Sequence, residues 1–271
     1  MRLCLLVLAA ALGAPPAAAQ TVRELVLQAP PETAQAGVPG FRDCPDCPVM
    51  VETPGGLVIG KFPVTRGEYR RFAQATGLVS EGCNLRGERN RSQVAEANWL
   101  APGYEQTDDH PVVCVDWLEA TAYAEWLSGL SGKLYRLPTF EESAQAAAAG
   151  ADTAYWWGDS PDDICAYANG ADARFRSAFP VDERPIMTCD DGYAHTSPVT
   201  AFPANGWGLH DMAGNVWNWT NSCLKGDCAN AVFRGAAWDS PYPNAFTLAH
   251  SFGDRIVLRN DAIGLRVLRE N

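Results

Sequence analysis

The chain has 271 residues, 32 acidic against 21 basic side chains, and a formal net charge of −11. So acidic a surface argues against nucleic acid and anionic membranes as partners, and is met equally by cation binding or by plain solubility. Once a short leader is set aside, the remaining ~250 residues suffice for one large domain or two small ones.

Met1-Arg2 opens the chain, an apolar run follows from Leu3 to Leu12, and Ala17-Ala18-Ala19-Gln20 gives a small-residue exit. That order describes a secretory signal peptide over 1–19. The run is far shorter than the ~20 residues a membrane helix needs. No later segment reaches that length free of charge or proline. A periplasmic or secreted protein, with no membrane insertion after cleavage, is therefore expected. Residues 20–40 are rich in Ala, Pro, Gln and Thr and read as a flexible leader. With no internal repeat or boundary in 41–271, one domain is expected there.

Nine cysteines less Cys4 of the leader leave eight: Cys44, Cys47, Cys83, Cys114, Cys165, Cys189, Cys223 and Cys228. An even count in an exported chain reads as disulfides. Order along the chain suggests Cys44–Cys47, Cys83–Cys114, Cys165–Cys189 and Cys223–Cys228, but roughly a hundred pairings are open. Cys44-Pro45-Asp46-Cys47 is also a C-x-x-C motif, which suits a redox site or half a zinc site. No second C-x-x-C or His pair accompanies it.

Alternating apolar residues from Met50 to Gly60 around Pro54-Gly55-Gly56 predict a hairpin. Thr65 with Glu68, Asp116 with Glu119, and Thr139 with Glu142 each form a capping-box pattern and predict three helices. Tyr69, Phe72 and Ala73 share a face of the first. Ala120, Tyr123, Ala124, Leu127 and Leu130 recur along the second, with Gly129 and Gly132 marking its end. Between the first two helices, 80–110 reads as a long loop held by Cys83. From 151 onward no helical period persists, and disulfides or bound cations are expected to support the irregular chain.

Four segments carry a resemblance. They are Gly60-Lys61-Phe62-Pro63-Val64-Thr65, His110-Pro111-Val112-Val113-Cys114-Val115-Asp116-Trp117, Tyr135-Arg136-Leu137-Pro138-Thr139, and Gly208 to Trp219 with its Gly214-Asn215-Val216-Trp217-Asn218-Trp219 ending. With Arg234-Gly235 and Gly264-Leu265-Arg266, the chain over 41–271 resembles the formylglycine-generating enzyme, or sulfatase-modifying factor, family. The resemblance implies an α+β, C-type-lectin-like fold with little regular secondary structure.

It also implies two structural calcium ions, which take six to eight oxygens each. By similarity, the first site uses the side chains of Asn169 and Asp191 with backbone oxygens of Gly170 and Tyr193. The second uses Asp211 and Asn218 with backbone oxygens of Gly214 and Val216. The family usually has Asn then Glu at those last two side-chain positions, so here one negative charge survives.

The family's oxidase converts a substrate cysteine to formylglycine with copper held by two thiolates, the soft ligands that suit monovalent copper. Those positions follow the Arg-Gly-Gly-Ser-like segment, here Arg234-Gly235-Ala236-Ala237-Trp238, and are occupied by Ser240 and Ala245. Copper is therefore not expected. Cys223 and Cys228 have the same spacing but precede Arg234 and read as a bridge. Ala249-His250-Ser251-Phe252 replaces a basic stretch of the family, and Ser143 stands where a Trp is typical. His250 reads as structural, with an acid–base role as the alternative.

Three functions follow from the resemblance. A non-oxidase binding or accessory module, with an unknown protein or small-molecule ligand, is preferred. A periplasmic oxidase of the siderophore-maturation type, like relatives that lack the cysteine pair and oxidise a pyoverdine precursor, is the alternative. Formylglycine generation itself ranks third. Sulfoxide-forming relatives need a preceding histidine-rich domain for which this chain leaves no room, and they are set aside.

Overall fold

Each of the three longer helices starts at a reciprocal cap. Thr65 Oγ1 accepts from Glu68 N at 3.2 Å while Glu68 Oε2 accepts from Thr65 N at 3.0 Å, and the same exchange joins Asp116 with Glu119 and Thr139 with Glu142. Such caps are worth roughly 0.5–2 kcal/mol each. They begin α1 (Arg66–Thr76), α2 (Trp117–Ser131) and α3 (Phe140–Ala148). α2 runs through Gly129 and stops at Gly132, whose φ of 69° is left-handed. Leu130, expected on its buried face, is 46% exposed. α1 and α2 meet through aromatic rings, with Tyr69–Tyr123 at 5.9 Å and Phe72–Tyr123 at 5.6 Å.

This computed structural model describes residues 39–271, so the expected signal peptide at 1–19 and nearly all of the leader at 20–40 lie outside the described residues. Its strands are β1 (Met50–Glu52), β2 (Val58–Gly60), β3 (Cys83–Arg86), β4 (Arg91–Val94), β5 (Tyr135–Arg136), β6 (Trp217–Leu224), β7 (Asp227–Arg234), β8 (Ser251–Arg255), β9 (Ile263–Leu265) and β10 (Leu268–Arg269). Two short helices, α4 (Ile164–Tyr167) and α5 (Ala173–Ala178), complete the set. One sheet has the order β1-β2-β10-β5, a second β8-β7-β6-β9, and β3 pairs with β4 alone. Every pairing is antiparallel except β6 with β9.

The chain passes from the second sheet to the first between β9 and β10, and buried Arg266 ties that crossing down. Its guanidinium donates to the carbonyls of Gly60 (2.6 Å) and His210 (2.5 Å). A buried guanidinium needs its donors satisfied, and here backbone carbonyls of β2 and of the loop at 210 do it.

Two expectations change. The stretch 80–110 is not all loop, because β3 and β4 fold it into a hairpin whose Asn84 donates to Arg259 O at 2.9 Å. Beyond 151 the chain holds α4, α5 and two eight-residue strands. Trp217 to Thr220 of β6 are all buried, so that strand shows none of the alternation by which half-buried strands are read. Four disulfides join Cys44–Cys47, Cys83–Cys114, Cys165–Cys189 and Cys223–Cys228, the pairing that follows order along the chain.

Candidate functional site

Two features stand out: a cluster of buried oxygens and an open cleft. The cluster is built on the tight turn after Leu209. Asp211 (φ 51°) and Asn215 (φ 65°) both hold left-handed backbone, the conformation that Asn and Asp tolerate best after glycine. Gly214 is left-handed too, and a Cβ there would stand 2.6 Å from Asn169 O, so no other residue fits without moving that carbonyl.

Asn215 is the hub. Its Nδ2 donates to Ser197 O (3.0 Å) and Asp211 Oδ2 (2.8 Å), while its Oδ1 accepts from Ser197 N (2.9 Å) and Asn169 Nδ2 (3.4 Å). This link joins Asn169 of the first expected calcium site to Asp211 of the second. Asn169 Oδ1, Asp211 Oδ1 and Asn218 Oδ1 are each buried without a hydrogen-bond partner. Such an orphan costs about 1–3 kcal/mol, and a cation is one way to relieve it. Hard oxygens are the donor set calcium takes, so these residues fit that ion.

Asp191 differs from the other three. Its Oδ2 accepts from Gly170 N and its Oδ1 from Tyr193 N, both at 2.8 Å, so the backbone of two expected ligand residues clasps it. The second site's carbonyls are equally close-knit: Val216 N donates to Gly214 O at 2.8 Å and Asn218 Nδ2 to Val216 O at 3.0 Å. Burial pushes the Asp191 and Asp211 carboxyls up to about 7.

Sequence reasoning missed Asp172. It is fully buried, caps α5 through Arg174 N and Phe175 N, and accepts from Asp191 N at 2.5 Å. One of its oxygens lies within 4.8 Å of one of Asp191's. The neighbouring Cys165 sulfur is in a disulfide and offers no thiolate. The Asp at the start of a short helix was the available signal.

Ser240 and Ala245 both line the cleft, which encloses about 450 Å³. Ser240 closes a turn, its Oγ accepting from Ala237 N and its N donating to Ala237 O, each at 2.9 Å. Trp217, Phe233, His250 and Phe252 form an aromatic wall, with His250 4.8 Å from Phe252 and 6.0 Å from Trp217. His250 Nε2 is buried and unpartnered, and burial holds the imidazole below its usual pKa, favouring the neutral form. Tyr242 and Phe252, about half exposed, edge the opening.

The lining also includes the charged side chains of Arg91, Arg184 and Asp239. Arg91 pairs with Asp239 at 2.6 Å and with Asp261, and Arg184 pairs with Asp182 at 2.9 Å. None of these arginines was singled out by sequence, because Arg91 and Asp239 lie 148 residues apart. Arg234 sets the loop before His250 in place, donating to Ser143 O (3.0 Å) and Leu248 O (2.8 Å). The cleft can hold a ligand with an apolar or planar body and polar ends.

All eight cysteines among the described residues are in disulfides. Cys223 and Cys228 line a separate hollow of about 190 Å³ beside Trp117, away from Ser240 and Ala245.

The family described as sulfatase-modifying factor enzyme 1-like domain matches residues 15–271. The formylglycine-generating enzyme of Thermomonospora curvata is 33% identical over 199 residues, covering 64% of this chain and 61% of the relative. The chain thus spans about three fifths of that enzyme's length. The inactive C-alpha-formylglycine-generating enzyme 2 of Bos taurus is 33% identical over 221 residues, 70% of this chain and 68% of the relative. Among solved structures, PvdO from Pseudomonas aeruginosa superposes with a TM-score of 0.69 at 26% identity, over 88% of this chain and 100% of that one.

Proposed function

The chain belongs to the sulfatase-modifying factor enzyme 1-like family, and from that premise we propose that it is an exported, calcium-stabilised member that binds a protein or small-molecule ligand in the Ser240–Ala245 cleft without copper-thiolate oxidation. One observation carries the reading. Ser240 and Ala245, which by the resemblance stand at the thiolate positions of the family's oxidase, line this cleft as a hydroxyl and a methyl group, with every described cysteine bridged elsewhere. Neither group is a soft ligand.

Calcium, held by Asn169 and Asp191 with Gly170 and Tyr193, and by Asp211 and Asn218 with Gly214 and Val216, would supply charge to orphaned oxygens and brace irregular backbone. The chain's own residues do the rest: Asn215 joins the two oxygen groups, and Arg234 positions the His250 loop. The leader pattern at 1–19 and four disulfides support export.

A second reading, oxidation of a siderophore precursor in the periplasm, rests on His250, which lines the cleft and whose buried Nε2 has no hydrogen-bond partner. Titration with Cu(I) against a chromophoric chelator separates these readings from the oxidase. The wild-type protein should leave copper on the chelator, and the double variant S240C/A245C should take up one ion. One-to-one retention by the wild type would refute the reading.

A further inference from the structure

At the entry to the domain, far from the cleft in sequence, Cys44 and Cys47 close a disulfide across four residues. Its two sulfurs are not equivalent. Cys44 is half-buried, whereas Cys47 has 0% exposure, so an incoming thiolate has access to one residue and not the other.

The loop is held without the disulfide. Phe41 and Met50 exchange backbone hydrogen bonds at 2.9 and 2.8 Å, and Cys47 N donates to Cys44 O at 3.1 Å. Asp43 accepts from Tyr135 Oη at 2.5 Å and from Arg269 Nη1 at 2.9 Å. A bridge across so short a loop also adds little chain-entropy stabilisation, which grows with loop length. These contacts hold the loop independently of the bond.

Beside it lies a groove of about 670 Å³ whose lining mixes Arg42, Arg70 and Arg71 with Pro45, Glu68 and Asp108. Arg42 Nη1 donates to the Cys47 carbonyl, and the same guanidinium stands 3.7 Å from Glu68. Arg71 is 3.4 Å from Asp46, and Arg70 pairs with Asp108.

We propose that Cys44–Cys47 is a thiol–disulfide exchange site that oxidises a dithiol peptide or protein docked in this groove. A substrate thiolate attacks Cys44 Sγ, the Cys44–Cys47 bond breaks, and Cys47 leaves as a thiolate and takes a proton. The substrate's second thiolate then attacks its own sulfur in the mixed disulfide and releases Cys44. The substrate loses two electrons and two protons, and Cys44 and Cys47 gain them. A more oxidising protein disulfide restores the bridge by the same two exchanges.

The test equilibrates the folded, disulfide-intact protein in graded glutathione buffers, alkylates it, and maps each cysteine pair by mass spectrometry. Cys44–Cys47 should open at a reducing ratio at least a hundredfold milder than any other bridge, with the circular dichroism spectrum unchanged. The Cys47→Ser variant should capture on Cys44 a peptide whose cysteine is supplied as a mixed disulfide with thionitrobenzoate, releasing the thionitrobenzoate anion. The Cys44→Ser variant should trap it at least tenfold more slowly. Opening of Cys223–Cys228 first, opening only together with unfolding, or equal trapping by the two variants would overturn the proposal.

Discussion

Asn215 Nδ2 donates to Asp211 Oδ2 at 2.8 Å while both residues hold left-handed backbone, leaving Asp211 Oδ1 buried with no partner. The turn thus presents a carboxylate oxygen that the protein itself does not use. A bound cation is the simplest relief for it and for the matching oxygens of Asn169 and Asn218.

Chelation should therefore destabilise the protein. At calcium a hundredfold above its dissociation constant, binding adds about 2.7 kcal/mol per site. For a domain of this size that is a fall in Tm of roughly 5–10 °C on adding a chelator. Calorimetry with and without chelator, plus metal analysis, checks it, and Asp211→Ala should shrink the difference. No calcium and an unmoved Tm would remove the ion from the account.

Ser240 is predicted to pin its turn. Ser240→Ala leaves the fully buried Ala237 N–H without its acceptor and should cost about 1–3 kcal/mol. Urea unfolding measures it. An unchanged midpoint would show that another group takes over the bond.

Much of this was legible beforehand, and the reason is locality. The Thr65, Asp116 and Thr139 caps each need only a residue three positions on, and all three start helices where expected. The Met50–Gly60 hairpin is local in the same way. The cleft is not, since Arg91, Arg184, Trp217 and His250 come from four separate stretches and no spacing unites them. Asp172 hid for a related reason: α5 has six residues, too few to show a helical period. The β3–β4 hairpin is mostly polar and half-buried, with no alternation of apolar residues, so its pattern resembles a loop.

Acid stability should report on the Arg184–Asp182 pair. Burial alone would raise the Asp182 carboxyl, but hydrogen bonds from Arg184 and the charges of Arg184 and Arg86 bring it down from 3.8 to about 2. A depressed acid stabilises the fold fully above its unfolded value and loses that contribution as pH falls through its folded one. The window is therefore pH 4 to 2, and the contribution about 2 kcal/mol. Arg184→Gln should weaken it, so the variant should lose about 1 kcal/mol at pH 7 and run closer to wild type at pH 2. Parallel pH profiles of the two proteins would contradict this.

The central claim is that the family scaffold is kept while copper-thiolate chemistry is absent. It is tested most directly by giving the folded protein copper, oxygen, a thiol reductant and a Cys-x-Pro-x-Arg peptide, with a cysteine-bearing relative alongside. Mass spectrometry should find the peptide cysteine intact with this protein and converted to the aldehyde by the relative. Conversion by this protein would contradict the account and direct attention to Cys223 and Cys228.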